Sequence, residues 1–302
     1  ADRSFGHLHL VPKRSVFFAP RREGQDRAVW GVDCVDVGAT LAVARSAVAA
    51  SGRGKPCPYE NDMPTLSDRY TQIQDRLTSA AKRAGRDPKD VTLVAVSKGR
   101  SLNDILELRS LGHKDFGENR VEEASEKIDA TRNDSQKIAW HIIGHIQSRK
   151  AKDVAKNFNW VHSVESASLA ERLNRAVVVS PLPILLECNV SGEESKYGLQ
   201  ANRFDDADQW NQLCAILESI LAQPNLQVRG LMTMAPVVEA AESARPVFRK
   251  LRLLRDKLAK QFPSANWSHL SMGMTDDFEV AIEEGATMVR IGRAIFAPPQ
   301  NS

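Results

Sequence analysis

The chain has 302 residues, of which 42% are hydrophobic and 26% are charged, and its formal net charge is +3 at pH 7. This balance is too mild to indicate nucleic-acid binding, and no apolar stretch reaches the ~18 residues that a membrane span needs. The four cysteines, Cys34, Cys57, Cys188 and Cys214, show no C-x-x-C spacing. We therefore expect no nucleic-acid or membrane partner, no disulfide framework, and a reducing, cytoplasmic setting.

Residues 1–62 differ from the rest of the chain. They show no clear helical or strand period, and they include the turn-forming run Ser51-Gly-Arg-Gly-Lys-Pro-Cys-Pro. The segment carries arginines, but its acidic residues and two cysteines fit a transit peptide poorly. Because Met63 opens a well-patterned helix, we expect residues 1–62 to be a disordered or non-native extension and residues 63–302 to form the folded domain.

From Met63 onward, strand-like and helix-like segments alternate. Apolar residues in 67–84 recur at a helical period, and Gly85 and Pro88 end that helix. Val91-Thr-Leu-Val-Ala-Val is a near-continuous β-branched run, typical of a strand buried on both faces. The pattern then predicts helices at 102–111, 121–131, 149–157, 168–176, 205–222, 238–262 and 276–284, and strands at 114–117, 139–143, 160–164, 184–190, 228–232, 269–272 and 287–291.

The alternation of about eight strands with helices predicts the fold class. Such a pattern indicates parallel strands joined by right-handed crossovers. Eight repeats in roughly 240 residues fit a closed (β/α)8 barrel better than an open doubly wound sheet. No G-x-G-x-x-G motif follows a strand, so a dinucleotide-binding sheet has no support. We predict a single α/β domain, a TIM-like barrel.

In such barrels, active sites form at the carboxyl ends of the strands, and Lys98 lies just past the first strand. A lysine that emerges from an apolar strand into the barrel mouth is expected to be partly desolvated, which favours the neutral, nucleophilic amine. The alternative is a lysine whose ammonium reaches solvent at a strand end and has no function. Position alone leaves both open.

The last two strands end in residues suited to an anion. Ser271-Met-Gly-Met leads into a predicted helix, where free backbone N–H groups favour phosphate, although Asp276 or Asp277 could simply cap that helix. Arg290-Ile-Gly-Arg places a cation and a glycine at the end of the final strand. Phosphate sites in this fold often follow the last two strands. Together, the two segments favour a phosphorylated ligand.

Other polar and aromatic residues near strand ends give weaker signals. Asn119 could contact a ligand or cap the following helix. His141 and His145 are four residues apart on a strand and its exit, which does not indicate a metal site. Trp140 and Trp160 are predicted to be core or barrel-wall residues.

These segments resemble the pyridoxal phosphate homeostasis protein family. The resemblance covers Met63 to Phe296, with its motifs in family order. They are Val94-Ala-Val-Ser-Lys98, Phe116-Gly-Glu-Asn-Arg120, Trp140-His-Ile-Ile-Gly-His-Ile-Gln-Ser148, Val161-His-Ser-Val164, Ser195-Lys-Tyr-Gly-Leu199, Val228-Arg-Gly-Leu-Met-Thr-Met234, Leu270-Ser-Met-Gly-Met-Thr-Asp-Asp277 and Met288-Val-Arg-Ile-Gly-Arg-Ala-Ile-Phe296.

The resemblance implies a barrel like that of the alanine racemase N-terminal domain, with pyridoxal 5′-phosphate (PLP) bound as a Schiff base on Lys98. It implies that Ser271, Gly273, Arg290 and Gly292 hold the phosphate end and that Asn119 and Met234 lie beside the ring. Whether Arg290 faces the phosphate or the pyridine nitrogen stays open.

Two positions depart from the family pattern. Many relatives carry Thr or Ser where Arg293 stands, so a hydroxyl–phosphate bond would be lost there, although Arg could replace it. Phe296-Ala-Pro-Pro also lacks the usual Phe-Gly ending, so the last turn is expected to differ.

The sequence favours cofactor binding over catalysis. A racemase needs a base on each face of the substrate Cα, and in alanine racemases the second base is a tyrosine from another domain. Of the three tyrosines, Tyr59, Tyr70 and Tyr197, only Tyr197 is a candidate. Without a second base or exclusion of water, PLP is a poor carbanion catalyst. We expect a storage, carrier or buffering role; a PLP-dependent racemase or lyase, or a Schiff-base aldolase without PLP, are the alternatives.

The expected partners follow from that role. They are PLP itself and, as recipients, PLP-dependent apo-enzymes. A monomer is the default expectation, because no second domain is seen that would build an interlocked active site.

Overall fold

A computed structural model describes residues 64–133, 137–238 and 240–296. The predictions about residues 1–62, Met63 and the segment after Phe296 lie outside these residues. The helices are α1 (Leu66–Arg83), α2 (Leu102–Ser110), α3 (Val121–Thr131), α4 (Ala151–Asn157), α5 (Ala167–Ala176), α6 (Ala207–Leu221), α7 (Arg245–Gln261), α8 (Phe278–Glu283) and α9 (Arg293–Phe296). The strands are β1 (Thr92–Val96), β2 (Asp115–Glu118), β3 (Ala139–Ile142), β4 (Trp160–Val164), β5 (Leu182–Asn189), β6 (Leu199–Gln200), β7 (Leu226–Met232), β8 (His269–Ser271) and β9 (Met288–Ile291).

The strands form a closed parallel barrel. They pair in the order β4-β3-β2-β1-β9-β8-β7-β5, and a further pairing of β4 with β5 closes the ring. The two-residue strand β6 pairs outside the ring with the end of β5. A helix precedes or follows each barrel strand, which confirms the predicted (β/α)8 architecture. None of the helices in the described part of the chain is long and apolar enough to cross a membrane.

Successive strand residues face opposite sides of the wall. On β1, Leu93 and Ala95 pack in the large core between the barrel and the helices, whereas Val94 lies on the opposite, interior face beside Gly117 of the adjacent strand β2. Deeper inside, Leu185, Met232 and Met288 form a separate small cluster on which Trp160 packs. The near-continuous apolar runs in the sequence follow from this burial on both faces.

The predicted helix at 238–262 is wrong at its start. The α-helix begins at Arg245, after a 3₁₀ turn at Ala241–Ala244. Pro246 explains the difference. Pro has no N–H group, and it is tolerated in the first helical turn because N–H groups there have no intrahelical acceptor. A helix from 238 would place its ring against the carbonyl of Glu242. Similarly, α8 covers only Phe278–Glu283 of the predicted 276–284, and neither β6 nor α9 was predicted.

Candidate functional site at the carboxyl ends of the strands

Because all barrel strands are parallel, their carboxyl ends meet at one rim, and the residues predicted for the site lie at or just after these ends. Lys98 lies two residues after β1, and Asn119 directly follows β2. Met234 lies two residues after β7, Ser271 ends β8, Gly273 follows it, Arg290 lies within β9 and Gly292 directly follows β9. The structure therefore brings all seven to the same end of the barrel.

Lys98 continues the side of β1 that faces the barrel interior, since it is four residues beyond Val94. Its side chain is exposed and makes no hydrogen bond or ion pair with a described residue. The prediction that Lys98 is partly desolvated is therefore wrong. The reason is local: the chain turns at Gly99, whose φ is +66°, and no helix or strand of the described residues covers the lysine. The amine is accessible to an incoming carbonyl group.

The peptide before Lys98 is held from behind by a buried ion pair. Lys127 of α3 lies 2.8 Å from Glu118 Oε1 and donates a second hydrogen bond of 2.8 Å to the carbonyl oxygen of Ser97. The Ser97 hydroxyl donates to the same Glu118 oxygen at 2.7 Å. Burial raises the pKa of Glu118, and the bonds from Lys127 and Ser97 oppose that rise. Ser97 is thus fixed through both its side chain and its main chain.

The peptide after Lys98 is held from the same side. The Gly99 N–H donates to Glu123 Oε1, and Lys127 Nζ lies 3.1 Å from that oxygen. One ammonium group therefore links the two carboxylates that bind the residues on either side of Lys98. The main chain on both sides of the lysine is held by hydrogen bonds, whereas its side chain is exposed.

Arg290 lies inside the barrel just below the rim and is 4% exposed. Its guanidinium donates to Ser271 Oγ at 2.7 Å and to the carbonyl oxygen of Thr233 at 2.9 Å. Burial lowers the pKa of Arg290 to about 10, against the opposing effect of the Glu187 and Asp277 carboxyl groups. The guanidinium therefore remains a cation at neutral pH, and it can act only as a hydrogen-bond donor.

Two glycines at the ends of β8 and β9 expose main-chain donors. Neither the Gly273 N–H nor the Gly292 N–H donates to another described residue. A Cβ on Gly273 would lie 2.6 Å from Ala281 Cβ, and its φ is +93°. A Cβ on Gly292 would lie 3.1 Å from the Val96 carbonyl oxygen, so Gly292 packs beside the strand that leads to Lys98. With Arg290, these N–H groups form a set of donors suited to an anion.

The helix termini near this rim differ from the two simple capping predictions. Arg120, not Asn119, is the N-cap of α3, and the half-buried side chain of Asn119 makes no hydrogen bond with a described residue. Asp277 is the N-cap of α8, but its carboxylate accepts from the Met274 N–H at 2.6 Å instead of capping the helix. Asn119 is therefore available to a ligand.

Met234 and Arg293 lie at the outer edge of the site. Met234 is 37% exposed, and its carbonyl oxygen accepts a hydrogen bond of 3.1 Å from Lys196 Nζ. Arg293 pairs with the exposed Asp276 at 2.5 Å. Met234 thus presents an apolar, flexible side chain at the mouth.

Glu187 was not predicted from the sequence. It lies on β5 among apolar residues and is 4% exposed. Burial raises its pKa to about 7, and the nearby Glu165 adds to the rise, whereas Arg290 and His145 oppose it. The signal that could have found it is one charged residue inside the apolar run Ile184-Leu-Leu-Glu-Cys.

The remaining sequence candidates fall into two groups. His145 is exposed at the rim, where it lies 2.9 Å from Glu165 and stacks on Tyr197 with the ring centroids 4.5 Å apart. His141 and Trp140 are buried. Within the described residues, no group of three or more His, Cys, Asp or Glu side chains could hold a metal ion.

Comparison with known families gives matches over the same region. The family model described as alanine racemase, N-terminal domain, matches residues 69–298. The pyridoxal phosphate homeostasis protein of Vibrio alginolyticus is 39% identical over 239 residues, which are 78% of this chain and 97% of that protein. The protein of the same name from Aquifex aeolicus is 38% identical over 231 residues, 76% of this chain and 96% of that one.

Solved structures give the same fold. PipY of Synechococcus elongatus, determined with PLP bound, is 33% identical, with a TM-score of 0.63, and the match covers 75% of this chain and all (100%) of PipY. An alanine racemase of Clostridium difficile matches with a TM-score of 0.56 over 76% of this chain and 56% of its own. At 12% identity, that second match concerns the fold alone.

Proposed function

Since this chain belongs to the pyridoxal phosphate homeostasis protein family, we propose that it binds PLP as a Schiff base on Lys98 and stores, carries or buffers the cofactor. The observation that carries the proposal is the placement of a free lysine amine beside a set of anion-binding donors. Gly292 packs against Val96, two residues before Lys98, and Arg290 lies on the strand paired with β1. PLP carries an aldehyde and a phosphate on one small ring, and these groups match the lysine amine and the anion-binding donors.

The residues present fit the cofactor. The free N–H groups of Gly273 and Gly292 offer hydrogen bonds to phosphate oxygens, and the buried Arg290 guanidinium offers a donor to the ring. When bound, PLP supplies an aldehyde that condenses with the neutral lysine amine and releases one water molecule. The role of this chain's own residues is to fix the Lys98 main chain, orient the ring and bind the phosphate.

The proposal excludes catalytic turnover as the main role. Tyr197, the one tyrosine considered as a second base, is 57% exposed and stacks on His145. The Lys98 side chain is also open to water. An exposed site of this kind is a poor environment for a carbanion.

One observation favours the alternative of a PLP-dependent racemase or lyase. Glu187 is a buried carboxyl group near Arg290 with a pKa of about 7, which suits a general acid or base. Deuterium exchange at the Cα of amino acids in D2O separates the two functions. Exchange at enzyme-like rates that is abolished by Glu187→Gln or Lys98→Ala would establish catalysis, and the storage role predicts no such exchange.

The cofactor linkage is tested by absorbance and by reduction. Adding PLP to the purified full chain is expected to give a visible Schiff-base band that is lost in Lys98→Ala. Lys114→Ala is the matched control, because Lys114 is exposed before β2 at the opposite end of the barrel. After borohydride reduction, peptide mass spectrometry is expected to find the pyridoxyl group on Lys98. A label on another lysine, or no band at all, would refute the linkage.

The setting of this function is part of the proposal. PLP-dependent apo-enzymes are the recipients, the chain acts as a cytoplasmic monomer, and residues 63–302 are the functional domain. Sedimentation of the PLP-loaded chain tests the oligomeric state, and a dimer would contradict the monomer. Direct transfer is tested by the rate at which the PLP-loaded chain reactivates an apo-enzyme. Reactivation faster than the chain releases free PLP would support direct transfer.

A further inference from the structure

A row of buried polar side chains crosses the barrel interior. His141 Nε2 lies 3.1 Å from Asp115 Oδ1 at the start of β2, and His141 Nδ1 lies 2.9 Å from His162 Nε2. His162 Nδ1 lies 2.9 Å from Ser271 Oγ at the end of β8, and that oxygen accepts from Arg290. Both histidines are at most 1% exposed. The row connects the amino ends of the strands to the guanidinium at the mouth.

The direction of these hydrogen bonds is determined from the Arg290 end. A guanidinium can only donate, so Ser271 Oγ is an acceptor toward Arg290. The Ser271 side chain has one other partner among the described residues, His162 Nδ1, so the hydroxyl proton must go there. A buried hydroxyl proton without an acceptor would be unfavourable. His162 Nδ1 therefore accepts, and His162 carries its proton on Nε2.

The Asp115 end requires the same direction. The His162 Nε2–H donates to His141 Nδ1, which leaves the His141 proton on Nε2, facing Asp115. The Asp115 carboxylate oxygen accepts from the His141 Nε2–H, so both ends of the row agree. Desolvation of the buried imidazole, together with the neighbouring His141 and Arg290, keeps the pKa of His162 well below its usual value, consistent with a neutral ring.

We propose that Asp115, His141 and His162 are positioning residues for the ligand site. Their hydrogen bonds run one way, from the Ser271 hydroxyl to the Asp115 carboxylate, and they hold the Ser271 oxygen in the position where it accepts from the Arg290 guanidinium. This inference rests on the proposed function for its ligand, PLP. The contribution of Ser271 to PLP binding is then made through Arg290, because its own proton is directed into the barrel.

The Asp115 side chain is 33% exposed and lines a cavity of about 380 Å³ at the amino ends of the strands. The acceptor at which the row ends is thus accessible from the face opposite the ligand. A protonated His141 would still donate to Asp115 but would also donate from Nδ1 to His162, so that His162 would donate to Ser271 and the Ser271 hydroxyl would point to the mouth. The two directions give different imidazole tautomers, which makes the proposal measurable.

The first test requires no cofactor. In the full chain labelled with ¹⁵N-histidine, long-range ¹H–¹⁵N correlation spectra distinguish the two neutral tautomers and the imidazolium. Signals are assigned with His141→Gln and His162→Gln, and independently from the contact of His141 with Trp160, whose rings stack at 6.0 Å. Both rings are expected to be neutral and protonated on Nε2. An Nδ1–H tautomer or an imidazolium at either residue would overturn the inference, whatever the fate of the proposed function.

The second test is a double-mutant cycle on PLP affinity. His162→Gln is expected to weaken PLP binding about tenfold in the otherwise unsubstituted chain, but by less than about twofold in the Arg290→Lys background, because both changes act on one group. His113→Gln is the control, since this buried histidine bonds Tyr70 and the Asp115 main chain instead. Unchanged affinity in His162→Gln, or fully additive losses, would show that the row does not act through Arg290. If the unsubstituted chain takes up no PLP, the proposed function fails, and the tautomers still decide the direction of the row.

Discussion

Lys127 Nζ lies 2.8 Å from Glu118 Oε1, and the two side chains are 10% and 0% exposed. This ion pair lies between β2 and α3, directly behind the peptide that carries Lys98. Breaking one partner of a buried pair leaves an uncompensated charge, whereas replacing both removes the problem.

We therefore expect Lys127→Met to lower the free energy of unfolding by roughly 3–5 kcal/mol. Adding Glu118→Gln is expected to recover a large part of that loss. Urea denaturation followed by circular dichroism measures both, and Lys152→Met, at an exposed position on α4, is the control. A single variant that stays within about 1 kcal/mol of the unsubstituted chain would show that the pair contributes little.

The raised pKa of Glu187 predicts a pH dependence of stability. Its folded value of about 7 is above the ordinary 4.5, so the folded state holds this proton more tightly than the unfolded state does. The contribution to stability is complete below about pH 4.5 and is lost as the pH rises through 7, by up to about 3 kcal/mol.

Glu187→Gln removes this titration. The free energy of unfolding of the variant, minus that of the unsubstituted chain, is expected to be larger at about pH 8 than at about pH 5. Taking the difference cancels the groups that titrate equally in both proteins. An equal difference at the two pH values would contradict the raised pKa.

Arg290 is expected to contact the pyridine nitrogen rather than the phosphate. It lies two residues before Gly292, inside the barrel, whereas the free N–H groups lie at the rim. Arg290→Met should then weaken binding of PLP and of pyridoxal, which lacks the phosphate, by similar factors of roughly 10- to 100-fold. An Arg at that nitrogen would keep it unprotonated and weaken the ring as an electron sink, in keeping with storage rather than catalysis.

Titration of the two ligands by absorbance measures these factors. A loss confined to PLP would place the guanidinium at the phosphate instead. The Thr233 carbonyl and Ser271 hydroxyl oxygens lose their donor in this variant, so the melting temperature is recorded with each titration.

Gly273 and Gly112 form a matched pair for a stability test. Both have positive φ values, +93° and +89°. A Cβ at Gly273 would lie 2.9 Å from the Phe278 Cα, but one at Gly112 would meet no atom within 4 Å. Both alanine substitutions are expected to lower the free energy of unfolding through backbone strain. At Gly273 alone, overpacking is expected to lower it by about 1–3 kcal/mol more. Equal losses in chemical denaturation would show that α8 moves away freely.

The local patterns were sufficient for the barrel and for the rim of the site. Period-two and helical apolar patterns specify strands and helices, and parallel strands necessarily bring Lys98, Asn119 and Arg290 to the same end. The starts of helices were harder to predict than the helices themselves. Before Pro246, the apolar period of 238–244 continues through a turn that is not α-helical. The exposure of Lys98 also could not be predicted, since it depends on which neighbouring elements cover the residue.

By itself, the sequence was sufficient to predict a parallel barrel that carries a lysine and residues suited to an anion at its carboxyl rim. Only the tertiary structure decided which buried polar groups meet. Asp115, His141, His162 and Ser271 lie on four different strands, and three of them were not recognised as functional from the sequence. Their contacts depend on strand register and on the β4–β5 pairing that closes the ring, and no local period encodes either.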